Sequence, residues 1–421
     1  MNSSKSPRDK RLRDTESLYD FPYVLVFSLP KDSHTSDIGV TERMNAHVVR
    51  WRSSQNLMPA LTAHCIAAAI AVGTPTAAPG QVTTDGLGPP PSTREAGTDG
   101  NGNVIQLGQK IFFDKRLSAD GTISCASCHQ PEHAFTDGLP RSHGVKGLTG
   151  TRNAPSLLNA ALLETQFWDG REPSLETQAL EPFVSPVEHG LDNLDSLLGL
   201  LRGDAEYVKK FRAAFGVSGP DITTQHIARA LASFERSLVV SDSALDRYYF
   251  GGDKAALSPE AMRGFLLFVG RARCSSCHTI DPLGASFSDE QFHTLHVGMS
   301  RIDGRLAELT QRVIQSRSHG DSIAALVLSN DDIAQLGRFV VTLAPDDIGK
   351  FRTPSLRNVA LTAPYMHDGS VATLEEAVDQ EIYYRTAQSG NPLILTPNEK
   401  RDLISFLESL TSSTALSKLK N

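Results

Sequence analysis

Cys125-Ala126-Ser127-Cys128-His129 and Cys274-Ser275-Ser276-Cys277-His278 are two copies of one five-residue pattern, Cys-x-x-Cys-His, in a chain of 421 residues. The pattern is the attachment signature of c-type haem: two thiols add to the porphyrin vinyl groups, and the adjacent imidazole turns onto the iron as proximal ligand. With 5 Cys and 13 His in the chain, one such pentapeptide arises by chance about 0.002 times. Two copies exclude coincidence. A zinc ribbon keeps its Cys pairs roughly 15 to 20 residues apart, far closer than Cys125 and Cys274, and neither zinc nor a redox dithiol requires the trailing His. Two covalently bound haem c groups are therefore expected, attached through Cys125, Cys128, Cys274 and Cys277, with His129 and His278 on the irons.

Downstream of each signature the chain repeats itself. Pro155-Ser156-Leu157-Leu158-Asn159-Ala160-Ala161-Leu162 matches Pro354-Ser355-Leu356-Arg357-Asn358-Val359-Ala360-Leu361. At the same offset Asp169-Gly170 meets Asp368-Gly369, and Ser174-Leu175-Glu176 meets Thr373-Leu374-Glu375. Each signature thus precedes its own copy of a shared unit, with a much longer intervening segment in the second half. Helix punctuation is clear. Thr396-Pro397-Asn398-Glu399 offers an N-cap, a Pro at the first helical position and a capping-box Glu, ahead of Leu403, Phe406, Leu407 and Leu410. Ile227, Leu231, Phe234 and Leu238 repeat the helical spacing after Thr223 and Thr224, and Ser258-Pro259 opens a third such segment leading into the second signature. Alternating strand patterns are scarce. The expected fold is mostly α, with two tandem duplicated cytochrome-c-like haem domains and long loops, over residues 104–248 and 249–421.

The first hundred residues read differently. Met44, Arg50 and Arg52 precede the apolar stretch Leu57 to Val72 and the small-residue run Thr74-Pro75-Thr76-Ala77-Ala78, the layout of a secretory signal peptide over 44–78. Residues 1–43 then lie upstream of the natural start as a non-native extension, and 79–103, rich in Gly, Pro, Thr and Ser, form a linker. Pro59 and His64 interrupt an apolar run already short of the roughly 18 residues a membrane span requires, so no stable membrane insertion is expected after cleavage. Cys65 leaves with the signal peptide, and the other four of the five Cys are consumed by the signatures, so no disulfide framework is available. The expected location is the periplasm. With a formal net charge of −7 and no basic run in the mature part, nucleic acid is excluded as a partner.

Further residues carry a family resemblance. Phe112-Phe113-Asp114, Arg152-Asn153-Ala154-Pro155, Phe167-Trp168-Asp169-Gly170-Arg171 and Pro186-Val187-Glu188 resemble the bacterial di-haem cytochrome c peroxidases and their MauG-type relatives. So do Phe351-Arg352-Thr353-Pro354-Ser355-Leu356-Arg357-Asn358-Val359 and Thr362-Ala363-Pro364-Tyr365-Met366-His367-Asp368-Gly369. The resemblance covers essentially all of 104–411. It implies that the N-terminal haem is peroxidatic, that Glu188 is the distal acid that shuttles a proton between peroxide oxygens, and that Trp168 lies between the haems and relays oxidising equivalents. It also implies a calcium ion between the domains at Asn153, Thr362 and Pro364, the latter two through backbone carbonyls, with waters completing the shell.

Two departures from the family pattern bear on mechanism. The position of the His that caps the peroxidatic iron in resting peroxidases is Val145 here, which cannot ligate iron; His143 lies two residues away. A five-coordinate, open N-terminal haem follows, as in the MauG type. At the second haem, where the peroxidases use Met and the MauG type Tyr as sixth ligand, the register lands on Glu381, with Tyr384, Tyr383 and Met366 as alternatives. Glu would favour ferric iron and lower the potential.

The expected function is a periplasmic di-haem peroxidase that reduces hydrogen peroxide, with electrons entering at the C-terminal haem. A small electron-donor protein, a cytochrome c or a cupredoxin, is the expected partner, and a homodimer one assembly. The alternatives are a MauG-type oxidase acting on a protein or small-molecule substrate, and a di-haem electron carrier with no turnover. Glu188 and Trp168 argue against the carrier, which needs neither a distal acid nor an open iron.

Overall fold

Gly108 and Gly264 organise the architecture, because each lets two helices touch backbone to backbone. In the computed structural model, a Cβ on Gly108 would lie 1.9 Å from the Ala230 carbonyl oxygen and 3.0 Å from the Phe234 Cβ. A Cβ on Gly264 would lie 1.9 Å from the Asp402 carbonyl oxygen and 2.8 Å from the Phe406 Cβ. No larger residue fits either crossing. The structure describes residues 101–280, 285–390 and 392–418; the expected extension and signal peptide, Cys65 and nearly all of the expected linker fall outside them.

Five helices carry the frame: α1 (Gly102–Phe113), α2 (Thr224–Arg236), α3 (Pro259–Val269), α4 (Leu374–Ser389) and α5 (Pro397–Glu408). Their starts follow the sequence signals. Thr396 and Glu399 form the capping box of α5, Ser258 caps α3 through the Ala261 N–H, and Thr223 caps α2. The α1/α2 crossing at Gly108 and the α3/α5 crossing at Gly264 are matched down to their rings. Phe112 meets Phe234 at 5.0 Å and 55°, and Phe268 meets Phe406 at 5.0 Å and 55°. A third Phe joins each pair, Phe135 at 6.3 Å from Phe112 and Phe287 at 6.1 Å from Phe268. Superposed in this way, Ala230 answers to Asp402, Phe234 to Phe406 and Glu235 to Leu407.

The repeated segments adopt repeated backbone. Asn159 and Asn358 are both left-handed, at φ 64° and 62°. Asn159 exchanges two hydrogen bonds with the Val240 backbone, and Asn358 accepts from the Ser412 N–H. Sheet is confined, among the described residues, to the antiparallel pair Phe292–His293 and Phe351–Arg352.

Apolar side chains gather into three cores. The first runs from Val104 to Val240, with Ala415 returning to it from the C-terminal end, and the second from Leu245 to Leu410. The chain changes core between Val240 and Leu245, a few residues before the boundary expected at 248. The third core, Ile302 to Val340, belongs to the long segment inserted into the second half. It leans on the first half: Thr151 Oγ1 donates to the Val327 carbonyl at 2.9 Å and Arg152 to the Ala334 carbonyl at 2.7 Å. All described residues fall within one compact unit, and no described helix is long and apolar enough to cross a membrane. A buried ion pair, Arg357 to Asp246 at 2.9 and 3.1 Å, fastens the repeated segment of the second half beneath its core.

The helix crossings generate a sign test. Gly264→Ala should destabilise the haem-loaded protein by about 2 kcal/mol through overpacking, although Ala is the better helix former by about 1 kcal/mol. Gly199, within the Leu194–Gly203 helix and with nothing near its Cβ position, should respond to Ala by a gain of up to about 1 kcal/mol. Urea unfolding followed by circular dichroism measures both. Equal effects of one sign would remove the close crossing from the account.

Candidate haem sites

Each signature ends in a histidine whose ring is fixed by one carbonyl. His129 Nδ1 lies 3.1 Å from the Phe135 carbonyl oxygen, and His278 Nδ1 lies 3.0 Å from that of Phe287. A carbonyl only accepts, so Nδ1 carries the proton in both rings and Nε2 keeps its lone pair for a metal. Burial lowers the pKa of both histidines, which keeps them neutral and able to ligate. The carbonyls are aimed by backbone that Phe seldom adopts: Phe135 and Phe287 have φ of 60° and 56°. A serine from the repeated segment braces each loop, Ser156 Oγ on the Ala134 carbonyl and Ser355 Oγ on the Ser286 carbonyl, both at 2.6 Å.

None of the four signature cysteines is joined in a disulfide, so all four sulfurs remain for attachment. Burial pushes Cys128 up to about 12 and Cys274 up to about 11. Beside the second signature lies a cavity of about 690 Å³, within the range of cofactor sites. Cys274, Cys277 and His278 line it, with Leu356, Leu403 and Leu407 on its apolar side. At the first signature, the carboxyl Oε2 of Glu235 is buried with no hydrogen-bond partner, the mark of a polar group facing something the chain itself does not supply. Paired cysteines outside any disulfide and a neutral imidazole with Nε2 available at both signatures, with a cavity of cofactor size beside the second, fit covalently attached haem.

The distal surroundings of the two sites differ. Glu188 sits in a tight loop, Ser185 to Gly190, that folds onto Gly144 and Val145. The Val145 N–H donates to the Glu188 carbonyl at 3.0 Å, and a Cβ on Gly144 would strike the Val187 carbonyl oxygen at 1.8 Å. The Glu188 carboxylate is felt at both Cys125 and Cys128. Burial raises its pKa, against the pull of Arg171. Arg171 stacks on Phe167 at 3.5 Å and pairs with Asp169 at 3.1 Å and Glu181 at 2.9 Å. Val145 is buried at 2% exposure and brings no ligating atom to the site. His143 is exposed, with its ring on the Thr149 hydroxyl at 3.0 Å.

In the second cavity Glu381 of α4 is part of the wall, and its charge is the main influence opposing burial at His278. Met366 also lines this cavity; Tyr383 and Tyr384 do not. Tyr383 is 68% exposed and Tyr384 stacks on His296. Asn153, Thr362 and Pro364, the residues to which the resemblance assigns calcium, all border this one cavity.

Trp168 is tied to both halves. Its Nε1 donates to the Asn153 carbonyl at 3.0 Å, and its own carbonyl accepts from the Arg352 N–H at 2.8 Å. Asn153 stands two residues before Pro155, whose backbone flanks His129, and Arg352 two before Pro354, whose backbone flanks His278. Arg338 from the inserted segment clamps the same loop by donating to the carbonyls of Asp169 and Gly170 at 2.8 and 2.7 Å.

Two residues near the first site escape a motif-based reading. His189 is buried, packs at a tilt of 51° against Phe183 with ring centroids 4.8 Å apart, and is pushed by burial down to about 4, so it is neutral at pH 7. Glu235 does carry a signal in the sequence. It follows Leu231 by four residues and therefore falls on the apolar face of its helix, where a carboxyl is out of place.

The di-haem cytochrome c peroxidase family model matches residues 102–255. A cytochrome-c peroxidase, IdrP1, of Denitromonas iodatirespirans is 36% identical over 381 residues, covering 86% of this chain and 94% of that protein. The methylamine utilization protein MauG of Methylorubrum extorquens is 33% identical over 316 residues, covering 74% of this chain and 79% of its own length. Among solved structures, a MauG-like protein associated with microbial copper homeostasis matches with a TM-score of 0.61 at 34% identity, over 80% of this chain and 97% of that one. With its two c-type haem signatures, each backed by a carbonyl-fixed histidine, the chain belongs to the di-haem cytochrome c peroxidase and MauG family of oxidoreductases.

Proposed function

We propose that this protein is a periplasmic di-haem peroxidase in which hydrogen peroxide reacts at the His129 haem and electrons enter at the His278 haem. The observation that carries the reading is the asymmetry between two otherwise matched sites. A buried acid, Glu188, lies beside the first with Val145 rather than a histidine packed against its loop, whereas Glu381 shares a cavity with His278 in the second. Bound haem supplies redox-active iron at both places; the remaining work belongs to side chains. Glu188 accepts a proton from one peroxide oxygen and returns it to the other, which departs as water. Burial suits the task by bringing its pKa closer to neutrality, and Arg171 keeps it from rising so far that the carboxylate is lost. Two electrons and two protons complete the reduction of peroxide to two waters. Trp168, bonded to backbone on both sides, is the side chain placed to pass those electrons between the halves.

The donor is a small redox protein, a cytochrome c or a cupredoxin. Calcium fits Asn153 with the Thr362 and Pro364 carbonyls, oxygen ligands suited to a hard cation. A MauG-type reading, in which the oxidising equivalents are spent on a protein or small-molecule substrate, is favoured by Val145, since no side chain there can close the first iron. A carrier without turnover leaves Glu188 unexplained.

Stopped-flow mixing of the fully oxidised protein with one equivalent of peroxide should perturb the haem spectrum at once, without prior reduction. A spectrum that stays at rest until reductant is added would overturn the open-site reading. Glu188→Gln should slow this reaction by about 100-fold or more with both haems still attached. In the wild type the rate should fall as pH drops through the raised Glu188 pKa, because the carboxylate is lost; the Gln variant should lack that limb, and an unchanged profile would remove Glu188 as the acid-base group. Glu381→Ala should raise the potential of the second haem alone, through loss of an anionic ligand; no shift in its spectrum or potential would dismiss Glu381 as the sixth ligand.

A further inference from the structure

Glu235 is a carboxyl group where the second half has a leucine. The matched helix crossings align it with Leu407, and Leu407 lines the cavity beside His278. By that correspondence Glu235 holds, on the side of the first signature, the position from which Leu407 lines the cavity of the second. Its electrostatic reach agrees: after burial, Glu235 is the largest influence raising the pKa of Cys125, the first haem-attachment thiol. The residue is 5% exposed and its Oε2 has no hydrogen-bond partner.

We propose that Glu235 is the redox-linked proton site of the first haem, taking up one proton from solvent when that haem gains one electron and releasing it on reoxidation. Reduction removes one positive charge from the cavity, which makes the neutral acid the favoured form; oxidation restores the charge and favours the carboxylate. The second site, with Leu407 in the same place, lacks this coupling. Its potential is thereby insulated from pH at this position, while that of the first haem falls as pH rises.

The surroundings leave Glu235 free to respond. Arg236, its neighbour on α2, is engaged with Glu176 at 2.6 and 3.0 Å. Arg236 still pulls the Glu235 pKa down, and Glu176, from the short helix packed on α2, adds a like charge that works against that pull. On α1, Lys110 is turned to Glu206 at 3.0 Å, and the packed 160–162 turn is Ala-Ala-Leu, without a titratable side chain. Burial, the largest cause, lifts Glu235 to about 8, so a charge change beside it is felt near neutral pH.

The inference rests on haem attachment at Cys125 and Cys128 and not on peroxide chemistry, so the test needs no turnover. Optical redox titration of the two-haem protein over about pH 6 to 9 should give a first-haem midpoint that falls with pH by one proton per electron across part of the range. Glu235→Leu, the residue the other half uses, should flatten that dependence and leave the second haem as it was. Glu235→Gln, isosteric and non-ionising, should do the same if the Leu variant fails to fold. Redox-difference infrared spectra of the wild type should show a carboxylic acid carbonyl band gained on reduction, missing in both variants. A first-haem midpoint insensitive to pH in the wild type, or a dependence that survives both substitutions, overturns the assignment. Loss of peroxide reactivity with the pH slope intact would instead fault the functional reading.

Discussion

The hydrogen bond from each histidine Nδ1 to a backbone carbonyl is the constraint on which the rest of this structure depends. It settles which nitrogen is protonated and which faces the cavity, and no side chain could place it as firmly as a carbonyl held by its own loop. Phe135 and Phe287 adopt left-handed backbone to aim those carbonyls, a conformation costly for a bulky residue. The cost is met by anchoring. The rings of the same two residues join the aromatic clusters at the helix crossings, and Ser156 and Ser355 brace the peptide before each. Glycines at the crossings, phenylalanines in the clusters and serines in the repeat therefore serve one purpose.

Because both halves use this frame, the differences between them fall at few places and each has a chemical sense. The first half buries Glu188 within electrostatic reach of its signature cysteines, packs Val145 against the same loop and sets Glu235 where the second has Leu407. The second half turns Glu381 toward its histidine. Trp168 belongs to the strip where the halves share wall, bonded to Asn153 on one side and Arg352 on the other. The matched frame thus offers two similar positions for a haem-attaching histidine, and a handful of side chains sets them apart.

The chemistry of attachment was legible in the residues because Cys-x-x-Cys-His is a local pattern with one dominant use. The constant offset between Pro155 and Pro354, and the caps at Ser258, Thr223 and Thr396, were legible for the same reason: each is a relation among neighbours in sequence. The matched helix crossings were not. Gly108 lies 122 residues before Ala230, and Gly264 lies 138 before Asp402, so unequal insertions hide the equivalence from any fixed register. The third core was hidden too, since its apolar residues resemble those of any amphipathic helix until their packing is known. At the second site the sequence register pointed to Glu381 without deciding among neighbours one turn away. The geometry separates them, because Glu381 and Met366 reach the cavity wall while Tyr383 and Tyr384 turn away from it.

One repeated frame with unlike side chains should hold two irons of different coordination. Electron paramagnetic resonance of the fully oxidised two-haem protein at low temperature tests it most directly. One high-spin ferric signal is expected, from a first haem with an open face beside Glu188, together with one low-spin signal from a six-coordinate second haem. Two low-spin signals would contradict it, because the first iron would then be closed at rest by a ligand that the Val145 position does not provide.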